Sequence, residues 1–132
     1  MSFSTRLYRL EIESSGYGAE DITSVIARIV KELGLERGIV VVYAVDRGCA
    51  VTCIEYEPQL LADLEDLLKK VGGVDRPWIA EALIGKSVVV PVHGGSLQLG
   101  RFKSIVFLDL SRVRGSKSVV VALEGVFRGS GG

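Results

Sequence analysis

The sequence predicts an α+β domain with a mainly antiparallel sheet, and three observations carry that expectation. Apolar residues recur at strand period in some stretches and at helical period in others. The strand-like stretches cluster instead of alternating one for one with helices. Glycine, proline or a short polar break separates most stretches from the next.

Phe3 to Glu13 alternates as a partly solvated strand would, and Ser14-Ser15-Gly16-Tyr17-Gly18 breaks it. Ile22, Val25, Ile26, Ile29, Val30 and Leu33 then form one apolar helix face, with Glu20 or Asp21 near its positive end and Gly34 as its stop. Gly38 to Val45 and Ala50 to Ile54 are β-branched runs around Asp46-Arg47-Gly48, so they read as paired strands. Pro58 opens a second helix whose core face is Leu60, Leu61, Leu64, Leu67, Leu68 and Val71, with Gly72-Gly73 ending it. Pro77 opens a short third helix, Trp78 to Ile84, closed by Gly85. Three strands follow: Ser87 to Val92, Ser104 to Leu110 and Ser118 to Phe127. The tail, Arg128 to Gly132, is expected to fray.

Composition narrows the function only by exclusion. The chain has 132 residues, 48% of them apolar, enough for one domain with one core and no obligatory disulfide or metal. Sixteen basic against sixteen acidic residues argues against a nucleic-acid binder. No apolar run approaches the length of a membrane span. The first ten residues lack a signal-peptide core, so a cytoplasmic location is expected. One histidine and two cysteines leave little for a zinc site, and no metal is expected. Asparagine is absent and glutamine occurs only at Gln59 and Gln98, a composition that fits a thermophilic source. A mean hydropathy of +0.35 points to an exterior partly covered by other subunits.

Four features hold chemistry, and each has a plain structural alternative. Cys49 and Cys53 lie roughly 13 Å apart along a strand, too far for a disulfide or one metal ion, and read as small buried hydrophobes. His93-Gly94-Gly95-Ser96, with Gly100-Arg101 beyond it, could cradle an anion on backbone N–H groups, or simply turn the chain. Glu55, Glu57, Asp63, Glu65 and Asp66 could hold a divalent cation, or complement a helix dipole. Arg101, Lys103, Arg112, Arg114, Lys117 and Arg128 stand against only Asp109 and Glu124. That basic stretch could receive phosphates, pair with a neighbouring subunit's acids or be a solvated face.

The run from Val90 to Lys103, Val-Pro-Val-His-Gly-Gly-Ser-Leu-Gln-Leu-Gly-Arg-Phe-Lys, resembles the YjbQ-like family, also called secondary thiamine-phosphate synthases. That family carries a Pro-Val/Ile segment and then Gly-x-Leu-x-Leu-Gly-Thr-Trp-Gln. Ala50 to Pro58 looks like the family stretch ending in Asn-Glu before a proline; Asp63 matches its aspartate; Ala82 to Ser87 looks like its Leu-x-Gly-x-Ser segment. Order and spacing agree from about Arg6 to Phe127. The departures fall on chemistry. Asp46-Arg47-Gly48-Cys49 stands where the family has His-Thr-Thr/Ser-Ala, Ile54 where it has Asn, and Trp78 near a helix histidine. A further loop histidine has no counterpart in the shortened Gly72 to Arg76 segment, and Arg101-Phe102-Lys103 replaces Thr-Trp-Gln.

The resemblance implies a sandwich-like α+β fold, a homotrimer, and coupling of a pyrimidine-methyl diphosphate to a thiazole phosphate with pyrophosphate leaving. On that basis Asp46, Glu55 and Asp63 are the candidate catalytic or cation-holding residues. Arg47, His93, Gly95, Gly100, Arg101 and Lys103 are the candidates for a phosphate-bearing ligand. Without its histidines such a site is expected to be weak or inactive. The competing readings are a non-catalytic trimer binding an anionic ligand or a protein partner, and a hydrolase that uses Asp46 with Glu55. The sequence names no cofactor.

Overall fold

A computed structural model describes residues 2–72 and 75–129. In chain order its elements are β1 (Ser2–Ser14), β2 (Gly18–Asp21), α1 (Thr23–Leu33), β3 (Leu35–Ala44), β4 (Cys49–Glu55) and α2 (Pro58–Lys70). They continue with α3 (Pro77–Ile84), β5 (Ser87–His93), β6 (Ser96–Leu97), β7 (Lys103–Asp109) and β8 (Gly115–Phe127). A five-stranded sheet is ordered β1-β8-β3-β5-β6 and a three-stranded sheet β2-β7-β4, with antiparallel pairing throughout. This is the α+β architecture that the pattern of stretches predicts.

The pleat explains the layering. In the large sheet Val40, Val42, Val90, Val119, Val121 and Leu123 point inward and are buried. They meet the predicted face of α1, with Ile26 and Val30 fully buried, and the inward residues Val51, Ile105 and Phe107 of the small sheet. The other face of the small sheet, Ala50, Val106 and Leu108, packs against Leu64 of α2 and Ile84 of α3. Gly34 closes α1 in the left-handed conformation, and Glu57 caps α2 by accepting from the N–H groups of Gln59 and Leu60.

Two expectations are corrected. The runs flanking Asp46-Arg47-Gly48 are not paired with each other: β3 lies between β8 and β5, whereas β4 joins β7 in the other sheet. The turn bonds outward instead of closing a hairpin. Val45 N–H donates to Ser118 O at 3.0 Å and Leu110 N–H to Gly48 O at 2.8 Å, so the chain arches from one sheet to the other. Short strands also form at β2, which starts on Gly18, the last residue of the expected break, and at β6, within the glycine-rich stretch. α2 ends at Lys70 with Val71 as its cap and Gly72 beyond it at φ 80, as the Gly72-Gly73 stop predicts; Gly73 itself lies outside the described residues, as does the tail beyond Gly129. Arg128 is still fastened, its N–H donating to Gly34 O at 2.9 Å.

Candidate functional site

The nine candidate residues do not converge on one point. β3 runs into the 46–48 turn and β4 runs out of it, so Glu55 lies about 20 Å along β4 from Cys49. Asp46 and Arg47 are therefore at one end of the small sheet and Glu55 at the other. Asp46 and Glu55 cannot act on one bond within a single chain.

At the Glu55 end, Glu55 is the register partner of Lys103, and their side chains form an exposed ion pair at 3.7 Å. The preceding turn runs through Gly100 and Arg101, and Lys103 N–H donates to Gly100 O at 3.1 Å. Phe102 occupies this turn at φ 62 and is 77% exposed, with the Arg101 guanidinium 5.8 Å from its ring centre. Asp63 stands exposed on α2 and accepts from the Gln59 side-chain amide at 2.9 Å. His93 is exposed at the end of β5, in register with Arg37 of β3, and so is also far from the 46–48 turn. The Gly95 N–H is already committed, donating to Glu36 O at 3.1 Å. The glycine-rich stretch is thus a working turn with one fewer free donor for an anion.

The Asp46 end is more tightly built. Asp46 Oδ2 accepts from Ser118 N–H at 2.6 Å. Lys86 directs its ammonium to three acceptors: Asp46 O at 2.6 Å, Cys49 O at 2.9 Å and Glu81 Oε1 at 2.9 Å. Glu81, on α3, also accepts from Gly48 N–H. Burial raises the Glu81 carboxyl, but the Lys86 ammonium and the Gly48 N–H outweigh it and hold it below the ordinary range. Helix and turn are clamped together, and Arg47 lies over the Trp78 ring at 5.5 Å. Two positions where the resemblance calls for histidine, the 46–49 segment and Trp78, are therefore neighbours.

Sequence reasoning missed the buried polar group behind this turn. Asp109 is 1% exposed and Lys117 6%, and their charges approach to 3.9 Å. Ser14 Oγ and Ser111 N–H donate to Asp109, and Lys117 Nζ donates to Ser111 Oγ at 3.1 Å. Cys49 is buried beside them; burial and the Asp109 charge push its thiol up to about 12, leaving it protonated and unreactive at neutral pH. Cys53 packs partly buried against the core. Both agree with the reading as small hydrophobes. The available signal was a lone Asp at the end of the apolar run Ile105 to Leu108. Among the described residues no three His, Cys, Asp or Glu side chains are grouped to hold a metal ion.

A family model described as UPF0047 protein YjbQ-like matches residues 8–126. A UPF0047 protein of Methanothermobacter thermautotrophicus is 30% identical over 117 residues, covering 80% of this chain and 81% of that protein. One from Archaeoglobus fulgidus is 30% identical over 115 residues, covering 78% and 89% respectively. A crystal structure of a YbjQ-like protein of unknown function from Sulfolobus solfataricus P2 superposes with a TM-score of 0.87 at 20% identity, over 95% of this chain and 100% of that one. A YjbQ/UPF0047-family protein from Clostridium acetobutylicum gives 0.79 at 23% identity, over 88% and 98%. At these identities the structural likeness is one of fold.

Proposed function

Because the chain belongs to the YjbQ-like UPF0047 family, we propose that it is a member whose thiamine-phosphate-synthase-type coupling is weak or absent and which binds a phosphate-bearing small molecule. The observation that carries this reading is Arg47 lying 5.5 Å over Trp78: Trp78 stands near a helix histidine of the resemblance, and Arg47 directly follows Asp46, which stands where the resemblance calls for another. An indole has no titratable nitrogen, and a guanidinium does not release a proton near neutral pH. A stacked guanidinium still keeps in-plane N–H groups free for two phosphate oxygens. The pair is suited to hold an anion and unsuited to move a proton. Asp46, the remaining acid of the turn, is engaged with Ser118 N–H.

The reading includes self-association as a trimer. Leu7 (71% exposed) and Val89 (58%) lie with Tyr43 and Ile39 on the outward face of the large sheet, which no described helix covers. Such a face is the kind that closed oligomers bury. No helix among the described residues is long and apolar enough to cross a membrane.

The test supplies both thiamine precursors with magnesium, follows product by chromatography, and separately titrates inorganic pyrophosphate by calorimetry. The expected result is no turnover above background, with saturable pyrophosphate binding that weakens about tenfold in Arg47→Gln. Turnover that disappears in a folded Asp46→Ala variant overturns the reading, because it makes Asp46 a working substitute for histidine. Pyrophosphate binding indifferent to Arg47→Gln removes the Arg47 assignment.

A further inference from the structure

A cavity of about 290 Å³ opens on the opposite side of the small sheet from the main core, between β2 and α2. Its walls are Leu61, Leu64, Leu68, Leu108, Leu110 and the ring of Tyr17. Four of these six come from two helix turns and from β7, so the walls are set by packed elements and not by a mobile loop. The cavity has roughly twice the volume of an engineered 150 Å³ cavity that takes up benzene, which suits an apolar body of about ten to twelve non-hydrogen atoms.

The surroundings of Tyr17 and Glu65, the polar residues of the lining, are asymmetric in charge. The Tyr17 hydroxyl donates to Glu65, whose other neighbour is Lys69 at 3.7 Å. Burial and the Glu65 carboxylate push the Tyr17 phenol up to about 12, so it stays a neutral donor. Arg112, whose guanidinium lies 4.2 Å over the Tyr17 ring, adds a second positive charge that also acts on Glu65, so Glu65, Lys69 and Arg112 together carry one net positive charge. Among the described residues Arg112 has no carboxylate within ion-pair distance.

Arg112 is held there at a conformational cost. Its φ is 63, the left-handed region that a long side chain adopts only when its surroundings impose it. Arg112 N–H donates to Gly16 O at 2.7 Å, and a Cβ on Gly16 would lie 2.8 Å from Val113 N, so the two loops touch backbone to backbone. The buried Asp109–Lys117 pair anchors the same loop through Ser111.

We propose that this cavity is a binding site for a small amphipathic monoanion, its apolar body among the leucines and its carboxylate at the Arg112 guanidinium. A single negative charge matches the groups around Tyr17: Glu65, Lys69 and Arg112 sum to one positive charge, and Glu65 repels a second negative one. The site is separate from the Arg47–Trp78 pair and does not depend on it.

The test titrates sodium octanoate, ten non-hydrogen atoms, into the full-length protein, with NMR shifts at Tyr17, Leu64 and Leu108 as the readout. Saturable binding is expected, about tenfold weaker in Arg112→Gln and about tenfold weaker for octanol or octylamine. Ala62, an exposed residue at the mouth, tests the apolar half: Ala62→Phe should abolish the shifts while leaving the melting temperature unchanged. Excess inorganic pyrophosphate, which has no apolar body, should not displace octanoate, so failure here leaves the Arg47 reading standing. Octanoate shifts that do not saturate, binding unchanged in Arg112→Gln, or octylamine binding as tightly as octanoate each overturn the proposal. Should Ala62→Phe melt early, the Arg112→Gln comparison decides.

Discussion

Asp46 Oδ2 accepts a 2.6 Å hydrogen bond from the Ser118 backbone N–H, which fastens the turn after β3 to the start of the β8 core run. Val45 N–H returns the bond to Ser118 O at 3.0 Å, so the β3–β8 ladder extends past its last paired residue, Ala44 opposite Val119. Ser118 is buried, and removing its acceptor leaves a backbone donor without a partner. Asp46→Ala should destabilise the fold by about 1–3 kcal/mol, and Asp46→Asn, which keeps a carbonyl oxygen there, by less. Urea titration at neutral pH reads this. A loss near zero for Asp46→Ala would free the carboxylate from its structural role.

Gly38 and Gly125 face each other across β3 and β8, both at φ 152. A Cβ on Gly38 would lie 2.0 Å from Glu124 O, and one on Gly125 would lie 2.0 Å from Arg37 O. Backbone atoms at that distance have nowhere to move without breaking the ladder. Either glycine changed to alanine should destabilise by about 3 kcal/mol or more. Gly94, at φ 60 with open space around its Cβ position, should lose only about 1–2 kcal/mol in Gly94→Ala. Equal losses in the three variants would show that φ alone, and not the close strand approach, sets the penalty.

These two sites mark what the sequence can show. α1 was legible because Ile22, Ile26, Ile29 and Val30 repeat at helical period within a window that contains its own stop signal, Gly34. The partnership of β3 and β4 was not, because Asp46-Arg47-Gly48 between β-branched runs is also what a hairpin looks like. Ser118 and Leu110, which bind that turn and send β4 to the other sheet, are about 60 to 70 residues away in the chain. β2 escaped notice because Gly18 to Asp21 contains no β-branched residue; its pairing comes from β7 beside it. The site divides the same way. Asp46, Arg47 and Trp78 were each marked by comparison with family motifs, but the contact between Arg47 and Trp78 depends on the Lys86–Glu81 clamp, which no local pattern announces.

The outward face of the large sheet carries the assembly prediction. Sedimentation equilibrium at low micromolar concentration should give about three times 14.2 kDa for the unaltered chain. Leu7→Lys and Val89→Lys each place a charge in the exposed apolar patch, on β1 and β5 respectively, and should yield monomers with an intact fold. A monomer for the unaltered chain refutes the trimer outright. A trimer that survives both substitutions places the contact on another surface.

The Asp109–Lys117 pair should govern how the fold responds to acid. Burial raises the Asp109 carboxyl, but the hydrogen bonds from Ser14 and Ser111 and the Lys117 charge outweigh burial and hold it below its ordinary value of 3.8. A depressed folded value means that the unfolded chain takes up the proton first as pH falls. The stabilisation is therefore complete above the ordinary carboxylate range and is lost as pH drops through 3.8 towards the folded value. Asp109→Asn removes this contribution and also leaves Lys117 buried without its counter-charge, which should cost about 3–5 kcal/mol at neutral pH. The variant should consequently show a flatter decline of unfolding free energy between about pH 5 and pH 2.5 than the unaltered chain. Some slope will remain, since Glu81 is also held below its ordinary range. Adding Lys117→Met to Asp109→Asn should recover part of the neutral-pH loss, because no uncompensated charge is then buried. Urea midpoints across that pH range measure the unaltered chain and both variants. An unchanged acid slope in Asp109→Asn, or a neutral-pH loss under about 1 kcal/mol, would mean that the pair is not what fastens the 109–117 loop.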